Sequence, residues 1–128
     1  AWMGTGEQRC AGVTRLNTRL NESEVWMTLY PLRTALRRAI MAAESIRLKH
    51  YYVARRLLGG VQTAITWAKE KGVIVDETAR YLQRLVGVLL DKFDRGEIPD
   101  PRKVDYLADR IMLRICRVYC SVCRRALR

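Results

Sequence analysis

Apolar residues recur with the period of an α-helix in two long stretches of this chain, residues 31–58 and 101–128. At 100° per residue, the apolar positions of each stretch fall on one side of a helix and most basic positions fall on another side. A strand would need alternation with a period of two, and no segment shows a clear one. The pattern therefore predicts an all-α protein, a bundle of about four to five helices, two of them long and basic-amphipathic.

The excess positive charge of the chain is confined to the same two stretches. Each carries a net charge of +6, residues 1–30 are neutral and residues 59–100 carry −1, within a total of +11 for 128 residues. Arginine outnumbers lysine by 19 to 5, and guanidinium groups match phosphate oxygens bidentately while staying charged. Charge this localised indicates a polyanionic partner, because an ordinary solvated helix face mixes both signs.

The basic faces consist of regularly spaced side chains that we interpret as nucleic-acid contacts. In the second stretch they fall within about 40° of one line, and they are Lys103, Arg110, Arg114, Arg117, Arg124 and Arg128. An apolar stripe lies roughly 120° away from them and comprises Val104, Ala108, Ile111, Ile115, Val118 and Val122. The first stretch repeats the plan with Arg33, Arg37, Arg47 and Arg55. A second basic row consists of Arg38, Lys49 and Arg56. Tyr52 lies between the two rows, where it could contact a sugar or base or could pack on a neighbouring subunit or on arginine stems.

Residues 1–20 show no apolar period and contain three glycines and three arginines. We expect an extended basic arm that orders on a partner, with Arg9 and Arg15 as further nucleic-acid contacts. A frayed terminus is the alternative. Residues 21–128 are predicted to form a single all-helical nucleic-acid-binding domain, since this length supports one core.

Helix boundaries follow from local signals. Asn21 with an acidic first turn starts a helix, and Pro31 either kinks that helix or opens the next one. Gly59 and Gly60 are expected to end the helix of residues 31–58. A short helix should then end at Gly72, and a further helix, capped by Asp76, should span residues 76–94. Residues 96–99 form a loop before Asp100-Pro101 starts the last helix.

The cysteines allow three interpretations. Cys116, Cys120 and Cys123 have the CxxxCxxC spacing of radical-SAM enzymes, but here they lie along one side of a helix. They could be buried thiols, they could include a disulfide with Cys10, or all four could hold a metal. Buried thiols are favoured, so no metal ligand is assigned.

No constellation of residues indicates an enzyme. His50 is the only histidine and maps to the apolar side of its helix, so we expect it in the core. Trp26 and Trp67 are expected in the core as well. The chain has no nucleophile elbow and no glycine-rich phosphate loop. We therefore expect no catalytic residues and no cofactor, and no apolar run reaches the roughly 18 residues of a membrane span.

Residues 61–90 offer an alternative function. Ala68, Gly72 and Val73, leading to Thr78, resemble the centre of a helix-turn-helix, so a DNA-binding regulator is one alternative. The helix after the turn opens with Asp76-Glu77 and is nearly neutral, whereas a helix that reads a groove is normally basic. A small helical subunit of a ribonucleoprotein complex is a further alternative.

In its length, charge and helices the chain resembles the major capsid proteins of filamentous archaeal viruses, such as rudiviruses, lipothrixviruses and tristromaviruses. The resemblance covers the whole chain as a plan and includes the arm and the arginine rows, but the cysteines have no place in it. It implies a coat protein that wraps double-stranded DNA without reading sequence and holds it in an A-like form. It also implies a dimer with itself or a paralogous subunit, a helical filament, and a location in the virion and, during assembly, in the host cytoplasm.

Overall fold

Four helices make up the computed structural model, which describes residues 22–126. They are α1 (Glu22–Arg47), α2 (Tyr51–Glu70), α3 (Asp76–Asp94) and α4 (Pro101–Ala126). No strand occurs among these residues, so the predicted all-α class is confirmed. The predicted arm lies outside the described residues. None of the four helices is long and apolar enough to cross a membrane.

The helices form a closed ring around one core. Each helix packs against the helices before and after it, and α4 returns to pack against α1. Within residues 22–126, no Cα atom of α1 lies within 8 Å of one in α3, and none of α2 lies within 8 Å of one in α4. The core face of α1 is rich in alanine, with Ala35, Ala39 and Ala42 fully buried. Small side chains let the neighbouring helices approach closely, and larger residues such as Leu32 and Leu58 are fully buried between them.

The predicted single helix over residues 31–58 is wrong, because the chain reverses at residues 48–50. α1 continues through Pro31 and ends at Arg47. Lys49 takes the left-handed conformation with φ of 62°, and the His50 N–H donates to the Ser45 carbonyl at 2.8 Å. This is a Schellman ending, normally built on glycine. No local breaker marks it. The reversal lets α2 fold back against α1, so that Ala54 and Leu58 are buried. The stabilisation from this packing exceeds the cost of interrupting the helix.

The predicted helix end at Gly59-Gly60 is wrong for a related reason. Both glycines lie inside α2, since an interior glycine costs a helix only about 1 kcal/mol. A Cβ on Gly60 would lie 2.9 Å from Cδ of Arg38, and Arg38 Nη1 donates to the Gly60 carbonyl at 2.9 Å. Gly60 therefore makes room for the Arg38 side chain at the α1–α2 seam.

The other predicted ends are confirmed. α2 ends before Gly72 and α3 ends before Gly96, both with positive φ, as expected for Schellman glycines. The carboxylate of Asp100 accepts the N–H of Arg102 at 2.9 Å and caps α4. At α3 the detail differs, because Val75 occupies the cap position.

The carboxylate of Asp76, predicted as a cap, serves another purpose. It accepts hydrogen bonds from Lys69 and Arg80, which hold its pKa below the ordinary value. It therefore joins the end of α2 to the first turn of α3.

Replacing Lys49 by glycine should stabilise the fold. Glycine removes the Cβ clash of a left-handed residue, so we expect the free energy of unfolding to rise by about 1 kcal/mol. Urea denaturation followed by circular dichroism measures it. Lys49→Ala is the control, because alanine keeps the Cβ and should give no such gain. Equal stability of the two variants would contradict the strain argument.

Candidate nucleic-acid interface

Helix α4 places its basic residues away from the core. Val104, Ala108, Ile111 and Ile115 of the predicted apolar stripe are buried, and Val118 and Val122 pack against the core partly buried. Leu107 is buried beside them. The predicted stripe is thus confirmed, and Arg110, Arg114 and Arg117 project on a different side of α4.

These three arginines line an open groove between α3 and α4. The groove has a volume of about 510 Å³. Its lining residues are Glu77, Thr78, Tyr81, Arg84, Arg110, Leu113, Arg114 and Arg117. Four guanidinium groups thus face one open space together with a single carboxylate.

Arg84 is the groove residue that sequence analysis missed. It belongs to the nearly neutral stretch of residues 59–100, so charge counting gave it no role. Helix α3 runs beside α4 and carries Arg84 to the edge of the same groove. Its place on the exposed side of α3 was visible from the helical period, but its neighbours on α4 were not.

Two tyrosines beside the arginines, one on α3 and one on α4, are joined by a hydrogen bond between their hydroxyls. The hydroxyls of Tyr81 and Tyr106 lie 3.3 Å apart, and the Arg110 guanidinium sits 5.0 Å from the ring centre of Tyr106. The shared hydrogen bond raises the pKa of Tyr81. The pKa of Tyr106 is lowered by the same bond and then by the charge of Arg110. The Tyr106 ring positions Arg110 through a cation–π contact, and since one hydroxyl donates to the other, the pair keeps one O–H for a further acceptor.

Most of the acidic side chains that lie near basic ones form ion pairs outside the groove. Ion pairs join Arg47 to Asp105, Arg55 to Asp94, Lys69 and Arg80 to Asp76, Arg95 to Glu97, and Arg102 to Asp100. Within residues 24–125, none of the four groove arginines has a carboxylate within the 4.0 Å of an ion pair. No ion pair among these residues therefore neutralises the positive charge of the four groove arginines.

The predicted row Arg33, Arg37, Arg47 and Arg55 is divided by the reversal at residues 48–50. Arg47 braces α1 to α4 through Asp105, whose hydrogen bond raises the pKa of Arg47. Arg55 braces α2 to α3 through Asp94 at 3.1 Å. These two arginines have protein partners, which leaves Arg33 and Arg37 exposed on α1.

The remaining predicted contacts lie apart from the groove. The guanidinium of Arg33 stacks on Trp26, 4.8 Å from the ring centre. Lys103 and Arg124 are exposed near the two ends of α4. Three predicted contacts lie outside the described residues, namely Arg9, Arg15 and Arg128.

The cysteines follow more than one of the predicted patterns. Cys123 is fully buried and Cys116 is half-buried, as buried thiols would be, while Cys120 takes part in a disulfide. Cys10 lies outside the described residues. In the part of the chain that the structure describes, no three cysteine, histidine or carboxylate side chains gather into a metal site.

Three residues expected in the core are exposed instead. His50 follows the Schellman turn and lies on the surface. Trp26 and Trp67 remain 43% and 36% exposed, and each makes a ring contact with a tyrosine, Trp26 with Tyr119 and Trp67 with Tyr30. Alanine-rich helix faces fill the core and leave little room for indole rings.

Comparisons of this chain with protein families, with curated proteins and with solved structures find no match.

Proposed function

We propose that this protein binds double-stranded nucleic acid, DNA in the first place, through phosphate contacts in the α3–α4 groove and without reading sequence. One observation carries the proposal, namely that Arg84, Arg110, Arg114 and Arg117 converge on one open groove with no ion-paired carboxylate among the described residues. Unpaired guanidiniums repel one another, and a polyphosphate backbone relieves that repulsion through bidentate contacts.

The composition of the groove favours backbone contact over base reading. Among the described residues no asparagine or glutamine, the usual readers of adenine, lines the groove, which leaves guanine as the one base that its arginines read bidentately. The polar neighbours of the arginines are Thr78 and Tyr81, whose hydroxyls suit phosphate oxygens. Arg110 and Arg117 are seven residues apart on α4, about 10 Å along the helix, so with Arg84 beside them the groove arginines can contact neighbouring phosphates of one backbone.

The fuller form of the proposal is a coat protein that polymerises on duplex DNA as the subunit of a filamentous virion. An aromatic patch supports the assembly step. It consists of Trp26, Met27, Tyr30 and Trp67, with Met27 72% exposed, and the rings of Tyr30 and Trp67 meet edge to face at 5.6 Å. Trp, Tyr and Met at such a density are typical of protein interfaces. We propose that a second copy or a paralogous subunit covers this patch.

Salt dependence tests the binding mode. Four phosphate contacts should lower affinity about 100-fold between 50 and 200 mM salt, and affinity should vary less than about threefold among unrelated duplexes. Fluorescence anisotropy with several DNA duplexes at both ionic strengths measures both quantities. A thousandfold preference for one duplex with a shallow salt slope would favour the helix-turn-helix regulator on residues 61–90. Strong preference for RNA would favour the ribonucleoprotein subunit.

A further inference from the structure

A second basic surface lies at the seam between α1 and α2. Two depressions of about 520 Å³ and 450 Å³ share Arg38 in their lining. The first lies on α1 alone, and the second lies between α1 and α2. Arg37 faces the first depression, and Arg56 and Tyr52 face the second. Among the described residues, no carboxylate lines either depression. We call this surface the α1–α2 seam site.

Two of the basic groups of the α1–α2 seam site, Arg38 and Arg56, contact other groups of the protein. The Nη1 atom of Arg38 donates to the Gly60 carbonyl, which fixes the side chain and leaves its other donors available. The guanidinium of Arg56 lies 5.9 Å from the ring centre of Tyr52, and Tyr52 is 73% exposed. Held guanidiniums lose less side-chain entropy on binding a phosphate than freely rotating ones do.

The helix ring places the two basic surfaces on opposite sides of the molecule. Among residues 22–126, Cα atoms approach within 8 Å only between helices that are neighbours in the ring α1, α2, α3, α4, so the α1–α2 seam faces away from the α3–α4 seam. One rigid phosphate backbone that occupies the groove does not also run along the opposite seam. The two surfaces therefore suit two separate stretches of duplex.

We propose that the α1–α2 seam site is a second duplex-binding site, so that each subunit bridges two segments of nucleic acid. The inference rests on the proposed function of the groove. A polyphosphate is the occupant because charge complementarity requires an anion. Two copies meeting through this seam would oppose Arg37, Arg38 and Arg56 of each copy with no acidic residue lining the depressions.

A bridging assay tests the second site. One DNA duplex is attached to beads, protein is added at low salt, and capture of a second, fluorescent duplex is measured alongside affinity for a single duplex. Arg37→Gln with Arg56→Gln should reduce capture at least about tenfold while changing single-duplex affinity less than about threefold, because the groove is intact. The control Arg80→Gln with Arg95→Gln removes the same charge from exposed sites elsewhere and should bridge like the wild type.

The outcomes separate the two proposals. Wild-type protein that binds no duplex at all overturns the proposed function and the second site with it. Wild-type protein that binds one duplex without bridging overturns the second site alone, as does a seam variant that bridges normally. Light scattering of the seam variant without DNA is measured in parallel, and a loss of mass would mean that the seam joins protein subunits, which also overturns the inference. If that variant loses helical circular dichroism, the single change Arg37→Gln replaces it under the same criteria, with Arg95→Gln as its control.

Discussion

Replacing Arg114 and Arg117 by glutamate should weaken duplex binding about 100-fold at physiological salt and reduce the salt slope by about two units. Both side chains line the α3–α4 groove and lie off the buried stripe of α4. The substitutions remove two phosphate contacts and add two charges that repel the backbone. The loss should be equal for unrelated duplexes, since phosphate contacts carry no sequence information.

The control for this variant needs arginines that are exposed but lie outside the groove. Arg80 and Arg95 meet that condition, because they pair with Asp76 and Glu97. Arg84 is unsuitable, since it lines the groove. Anisotropy titrations should show a several-fold effect at most for Arg80→Glu with Arg95→Glu. If the control pair proves more damaging than the groove pair, the groove is not the binding site. Unfolding of the groove variant, seen by circular dichroism, would mean that Arg114 and Arg117 are structural.

Replacing Leu107 by alanine should destabilise the protein by about 3 kcal/mol. Leu107 is fully buried on α4, where it belongs to the core that all four helices share. The cavity left by the lost side chain cannot collapse easily, because helices packed in a ring hold its walls apart. Chemical denaturation monitored by circular dichroism gives the free energy of unfolding.

Leu113 provides the matched control for Leu107. It lies on the same helix, carries the same side chain and is 37% exposed at the edge of the groove. Leu113→Ala should cost less than about 1 kcal/mol, since part of the side chain is already in water. Equal losses for the two variants would contradict the assignment of Leu107 to the core.

Local signals in the sequence predicted much of the fold. Three helix boundaries depend on hydrogen bonds within a few residues, so their signals are visible in the sequence. They are the glycine after α2, the glycine after α3 and the Asp100 cap. The apolar stripe of α4 was predictable because its period is that of the helix itself.

The reversal at residues 48–50 depends on distant contacts instead. Lys49 adopts a conformation that costs a lysine about 1–2 kcal/mol, and only the packing of α2 against α1 offsets this cost. Gly60 remains inside a helix because Arg38, 22 residues away, occupies the space of its missing side chain. Neither effect has a local signature.

The candidate site was predictable only in part, because helical spacing is visible in the sequence and the placement of one helix beside another is not. The side of α4 that carries Arg110, Arg114 and Arg117 follows from helical spacing. That Arg84 joins them follows only from the placement of α3. Arg47 pairs with Asp105, which is 58 residues away, and no periodicity could have removed Arg47 from the predicted contacts.

Some arginines form ion pairs that join two helices and others form none, and this division suggests an order of events for the proposed assembly. Free subunits carry a net charge of +11 and, with unpaired guanidiniums on opposite sides, should repel one another in solution. On the proposed function, bound nucleic acid would neutralise those two sides and leave the ion pairs Arg47–Asp105 and Arg55–Asp94 untouched. The polyanion would then trigger polymerisation, and protein made in excess of its template would stay dispersed until a template arrives.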